Sequence, residues 1–199
     1  MERKSAWHSV LMTTIAMCSL PAMAGTDPVV HLKFDDASAL GLDSSASGND
    51  ATIHNSPTFD AAGISGGAAS MDGDYFEWAG ESHPVENVLE GSFTFSVWVN
   101  TTQVGGGGNA GFAFQGASIV YADVPGTPPG PAADTIPMAL TGSKLAGFVG
   151  FPHMHSLSDI NTGIWVHLVA VRDLATDTGG FYVNGELETN EPQNSSPAD

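Results

Sequence analysis

One cysteine, Cys18, occurs in 199 residues, so no intramolecular disulfide can staple this chain. Basic residues are also scarce: 5 Lys and Arg stand against 22 Asp and Glu, for a formal charge of −17. Such a surface repels nucleic acid and anionic membranes and suits neutral ligands or divalent cations. Only one extended apolar stretch occurs, Val10–Leu20, and it is too short to span a bilayer. Convincing helical amphipathicity is missing, and so is any repeat of the solenoid type.

That apolar stretch has a specific setting. Arg3 and Lys4 precede it, and Pro21-Ala22-Met23-Ala24 closes it with small residues at alternate positions. A basic start, a short apolar core and a small-x-small site in that order describe a secretory leader. The sequence therefore predicts a signal peptide over residues 1–24, cleaved after Ala24, and a product that is secreted, extracellular or periplasmic. Cys18 leaves with it. So do Glu2, Arg3 and Lys4, which takes the balance to 3 basic and 21 acidic residues and a formal charge of −18. The remaining 175 residues are the size of one domain. We assign residues 25–190 to that domain and 191–199 to a flexible tail.

Within the domain, apolar residues recur at period two. Phe93, Phe95, Val97 and Val99 alternate with Thr94, Ser96, Trp98 and Asn100. Around Trp165–Arg172 and Val30–Phe34 the same alternation holds, which is the period of strands. Asn184-Gly185 suits a type I′ turn and predicts a hairpin of Phe181–Val183 with Glu186–Thr189. The connections are rich in Gly, Pro, Asp and Ser, as in DSSASGND (43–50) and VPGTPPGPAA (124–133). Short strands and turn-rich loops predict an all-β sandwich or barrel.

Four segments resemble one family when taken in order. They are VVHLKFDD (29–36) with DSSASGNDA (43–51), GAASMDGDYFEW (67–78), GSFTFSVWVNTT (91–102), and TGIWVHLVAVRD (162–173) followed by GGFYVNGE (179–186). Together they are similar to the laminin-G-like, concanavalin A-like lectin/glucanase domains over roughly residues 28–188. The resemblance implies a two-sheet antiparallel β-sandwich of jelly-roll type. It also implies a module that binds carbohydrate or protein, often with calcium, or a glycan hydrolase or lyase on the same fold. One departure is visible: relatives continue past the hairpin to a closing strand beside the first strand, whereas here NEPQNSSPAD follows soon after. The expectation is an unpaired edge along Val29–Phe34.

Candidate chemistry is sparse. Glycosidases of this sandwich need carboxylates sharing one face. The acidic i, i+2 pairs here, Asp72/Asp74 and Glu186/Glu188, sit at turns. No nucleophile-elbow motif occurs. His153 and His155 form an H-x-H that reads as a polar loop before it reads as zinc ligands. Calcium prefers hard oxygens, and Asp35, Asp43, Asp72 and Asp74 lie in oxygen-rich loops. Aromatic faces near loops or strand ends, Tyr75, Trp78 and Tyr121, are the ligand-binding candidates. The sequence thus reads as an exported, noncatalytic, lectin-like binding module that is calcium-assisted and has glycan as its partner. The alternative is a structural or protein-adhesion domain whose partner is an extracellular or surface protein.

Overall fold

The computed structural model describes residues 10–19, 27–79, 83–89, 91–122, 135–148 and 153–192. In chain order its elements are β1 (Val10–Ser19), β2 (Val30–Leu32), β3 (Thr52–His54), β4 (Thr58–Asp60), β5 (Ala68–Met71), β6 (Tyr75–Glu77), the short helix α1 (Pro84–Leu89), β7 (Phe93–Asn100), β8 (Ala117–Ala122), β9 (Thr135–Thr141), β10 (Lys144–Phe148), β11 (Met154–Asp159), β12 (Val166–Asp173), β13 (Thr178–Val183) and β14 (Glu186–Pro192). Every pairing is antiparallel.

An eight-stranded sheet runs β14-β13-β12-β7-β1-β5-β4, with β2 also paired to β1. A four-stranded sheet runs β11-β10-β9-β8, and β3 pairs with β6 as a separate ribbon. The main core lies between the two larger sheets. Val30, Leu32, Phe95, Val97, Leu168 and Phe181 come from one side, and Met138, Leu140, Leu145 and Met154 from the other. The fold is therefore an all-β antiparallel sandwich with a jelly-roll-like arrangement.

Period-two patterning explains the central strands. In β7, Phe93, Phe95, Val97 and Val99 are buried, while the alternate residues are half-buried. In β12 the buried set is Val166, Leu168, Ala170 and Arg172. Trp98 and His167 therefore share the outer face, in register and with ring centroids 4.8 Å apart. His167 Nε2 is 2.8 Å from Ser96 Oγ, the structural hydrogen bond expected of a half-buried imidazole. The Asn184-Gly185 turn has φ of 51° and 86°, positive at both positions as the type I′ reading requires.

Three expectations change. The edge along Val29–Phe34 is not bare: β2 pairs with β1 through Met17–Val30, Ala16–His31 and Ile15–Leu32. The apolar core of the expected leader thus supplies a strand of the main sheet, while the cleavage segment Pro21–Ala24 lies outside the described residues. A single helical turn and a half forms at α1, where Val85, Val88 and Leu89 are buried. Finally, β14 extends through Pro192, into the expected tail.

Candidate ligand-binding face

The β3–β6 ribbon builds an aromatic platform. Its register sets Thr52 opposite Glu77, Ile53 opposite Phe76 and His54 opposite Tyr75. Alternation then separates two faces. Phe76 packs against the core and meets Phe34 at 5.3 Å. On the other face His54 lies flat on Tyr75, with centroids 4.4 Å apart and planes 4° from parallel. His54 Nε2 sits 2.7 Å from Glu77 Oε2. Tyr75 remains 47% exposed, so the ring is available to a ligand.

The loops beside the platform are stitched by hydrogen bonds between side chains and backbone. Asn55 Nδ2 donates to the Gly73 carbonyl at 2.6 Å, and the Ser56 N–H donates to Asp74 Oδ1 at 2.8 Å. The Asp72 N–H donates to Asp74 Oδ2 at 2.9 Å. Asp74 thereby fixes the turn that delivers Tyr75.

The other aromatic candidates sit differently. Trp78 is half-buried against the core and spends its indole N–H on the Asn49 carbonyl, 2.8 Å away. Tyr121 is 50% exposed on β8, in the four-stranded sheet. Of the three, Tyr75 alone belongs to the platform.

The acidic candidates are divided among separate loops. Asp35 Oδ1 accepts the Gly67 N–H at 3.1 Å. Asp43 is buried and accepts four bonds: His31 N–H and Ser45 N–H on Oδ1, and Ser45 Oγ–H and Asn49 N–H on Oδ2, all at 2.7 to 2.8 Å. Burial works to raise its pKa, but these donors from Ser45, His31 and Asn49 outweigh it and hold the carboxyl below its usual range. Asp72 and Asp74 share the loop before Tyr75. Among the described residues no three His, Cys, Asp or Glu side chains gather as metal ligands. The donors crowding Asp43 and Asp74 are those of residues that organise turns.

Glu188, of the second acidic pair, takes the Ser158 N–H at 2.6 Å and also bonds Ser158 Oγ. His155 Nε2 is 2.8 Å from the Gly111 carbonyl, and His153 packs on Phe112 at 4.6 Å. Burial, then the charge of His155, lowers the pKa of His153.

Two groupings escaped sequence reasoning. His54 is a lone histidine between Ile53 and Asn55, and only strand pairing places it on Tyr75. Phe112 and Phe114 are 47% and 50% exposed, and their rings stack at 5.2 Å. Phe112 caps and Phe114 lies within a 3₁₀ turn at Ala113–Gln115, whereas i and i+2 spacing by itself reads as one face of a strand.

Comparison with known proteins yields one family. Residues 70–199 match the profile Laminin_G_3, described as the concanavalin A-like lectin/glucanases superfamily. The match opens in β5 and takes in the platform strand β6 and the eight-residue strands β7 and β12 of the main sheet. No curated protein and no solved structure matches at the significance applied.

Proposed function

Since the chain belongs to the concanavalin A-like lectin/glucanases superfamily, we propose that it is an exported, noncatalytic binding module for neutral glycan. The Tyr75–His54 stack is the observation that carries this reading. A pyranose presents a flat C–H face that packs on an aromatic ring, and its rim hydroxyls donate to carboxylates. Tyr75 supplies the exposed ring, His54 stiffens it from behind, and Glu77 supplies the acceptor beside it. The net charge of −17 favours a neutral ligand over an acidic one.

A glycan array probed with the exported protein tests this. Binding is expected, and Tyr75→Ala should weaken it by about tenfold or more, the scale of one aromatic contact, with an unchanged melting temperature. A blank array, or equal binding by the variant, would overturn the reading. Calcium assistance is a separate proposal resting on the oxygen-rich loops of Asp35, Asp43, Asp72 and Asp74. Arrays run with calcium and with chelator decide it.

One observation favours a protein-adhesion role: the exposed Phe112–Phe114 stack, an apolar feature of the kind found at interfaces. Under that reading the array is blank, and Phe112→Ser with Phe114→Ser abolishes protein capture.

A further inference from the structure

Three loops meet at one end of the sandwich, and each holds an aliphatic side chain out to solvent. Val99 of β7 pairs with Val166 of β12, so the chain leaving β7 at Asn100 runs beside the chain entering β12. Hydrogen bonds tie the two: the Gly163 N–H donates to the Thr101 carbonyl at 3.0 Å, and Asn161 Nδ2 donates to the Gln103 carbonyl at 2.9 Å. Trp165 Nε1 donates to the Ala62 carbonyl at 3.3 Å, which brings in the loop after β4. Thr101 and Gln103 are buried, and Gly105 is clamped to Gly142 by two backbone bonds, so Val104 is offered outward from an anchored segment. On this frame Val104 is 74% exposed, Ile164 67% and Ile64 44%. Aliphatic side chains held this far out of the core on tied loops form an apolar tip.

The tip is also uncharged. AAGISG (61–66), TTQVGGGG (101–108) and INTGIW (160–165) contain no Asp, Glu, Lys or Arg, in a chain of formal charge −17. The carboxylates next to them in sequence, Asp60 and Asp159, close β4 and β11 before the loops begin. We propose that this end of the sandwich is a membrane-docking tip, which seats Val104, Ile164 and Ile64 in the headgroup–acyl boundary of a zwitterionic phospholipid bilayer. Aliphatic side chains gain by leaving water at that depth. The Thr101 and Gln103 carbonyls and the Gly163 N–H enter already bonded, which lowers the cost of taking backbone into the boundary. Trp165, half-buried beside Ile164, adds an indole, a ring that favours membrane–water boundaries. The charge of −17 repels an anionic bilayer, and it repels a second copy of the chain in the same way. Centres of protein interfaces are enriched in aromatic residues and Arg, whereas Val104, Ile164 and Ile64 are all aliphatic.

Co-sedimentation of the full chain with phosphatidylcholine vesicles tests this. Binding is expected, and vesicles in which phosphatidylserine replaces part of the phosphatidylcholine should bind the chain less at low salt. Val104→Asp with Ile164→Asp should lower the partition coefficient by about tenfold or more, the scale of a charge forced into the boundary. The apolar Val10–Leu20 stretch cannot account for a loss caused at residues 104 and 164. Should that variant fail to fold, Val104→Ser with Ile164→Ser takes its place, with a loss of about threefold or more expected. Val104→Trp works in the opposite direction: binding should rise, and bromine atoms on the upper acyl chains should quench the added emission. No binding to phosphatidylcholine, equal binding by the Asp or Ser variant, tighter binding to the anionic vesicles, or an added emission that stays unquenched overturns the proposal. So does a dimer, seen by sedimentation equilibrium without lipid, that the Asp variant dissolves, since the tip would then be an interface between copies.

Discussion

Asp43 Oδ1 accepts the backbone N–H of His31 at 2.8 Å, tying the first loop to β2 across twelve residues of sequence. The same carboxylate gathers Ser45 and Asn49, so one buried charge organises the whole 43–50 loop. Asp43→Ala should cost about 3 kcal/mol, since several donors lose a charged acceptor together. The folded carboxyl titrates below its usual range, so the unfolded chain takes up the proton first as pH falls. The contribution is therefore complete at neutral pH and fades below about pH 4. Urea denaturation of both proteins at pH 7 and pH 3 checks this. An equal gap at the two pH values would sink the assignment.

Burial favours neutral His167, lowering its pKa. The unfolded histidine protonates first, near pH 6.5. Stability should therefore fall as pH drops below that value, until the folded ring is protonated as well. NMR titration should place the His167 midpoint below that of an exposed histidine. His167→Gln should remove this part of the acid sensitivity, and an unshifted midpoint would refute the account.

Arg172 occupies a core position of β12 and is 1% exposed. Among the described residues its guanidinium nitrogens meet no hydrogen-bond partner, and burial pushes its pKa down against the opposing attraction of Asp177. A buried cation in that state contributes little net stability. Arg172→Met should leave the fold unchanged or stabilise it by about 1–2 kcal/mol. Chemical denaturation measures this directly, and a loss above about 3 kcal/mol, the scale for breaking a satisfied buried pair, would show the opposite.

Gly105 and Gly142 exchange backbone hydrogen bonds at 2.8 and 3.1 Å. A Cβ at residue 105 would come within 1.9 Å of the Leu140 carbonyl oxygen. Gly105→Ala should therefore cost about 3 kcal/mol, through displaced backbone. Gly108 has open space around it but a φ of +72°. Gly108→Ala should cost only about 1 kcal/mol, the price of a left-handed alanine. Thermal melts of the two variants rank them, and the reverse order would contradict the packing.

Legibility in the sequence followed the strength of the local signal. The alternation in β7 and β12 and the Asn184-Gly185 turn were readable because each is encoded within a few neighbouring residues. β3 and β4 went unread, since three residues cannot establish a period. Arg172 broke the apolar rule within its own strand. The platform was half visible: Tyr75 could be singled out as an aromatic beside a loop, but the ring beneath it comes from a strand twenty-one residues earlier. Val10–Ser19 shows the limit most clearly: its apolarity reads as the core of a leader, yet in the structure the segment is a strand of the main sheet.

β14 closes one end of the main sheet and brings Glu186 and Glu188 to that border, with Pro192 at its last position. Two such borders approaching each other would set like charges side by side, and proline offers no N–H for a neighbour to bond. The domain is thereby discouraged from stacking on itself as concentration rises. This protection is electrostatic and weakens as salt screens the glutamates, so self-association, if provoked, should begin here in concentrated brine and reverse on dilution.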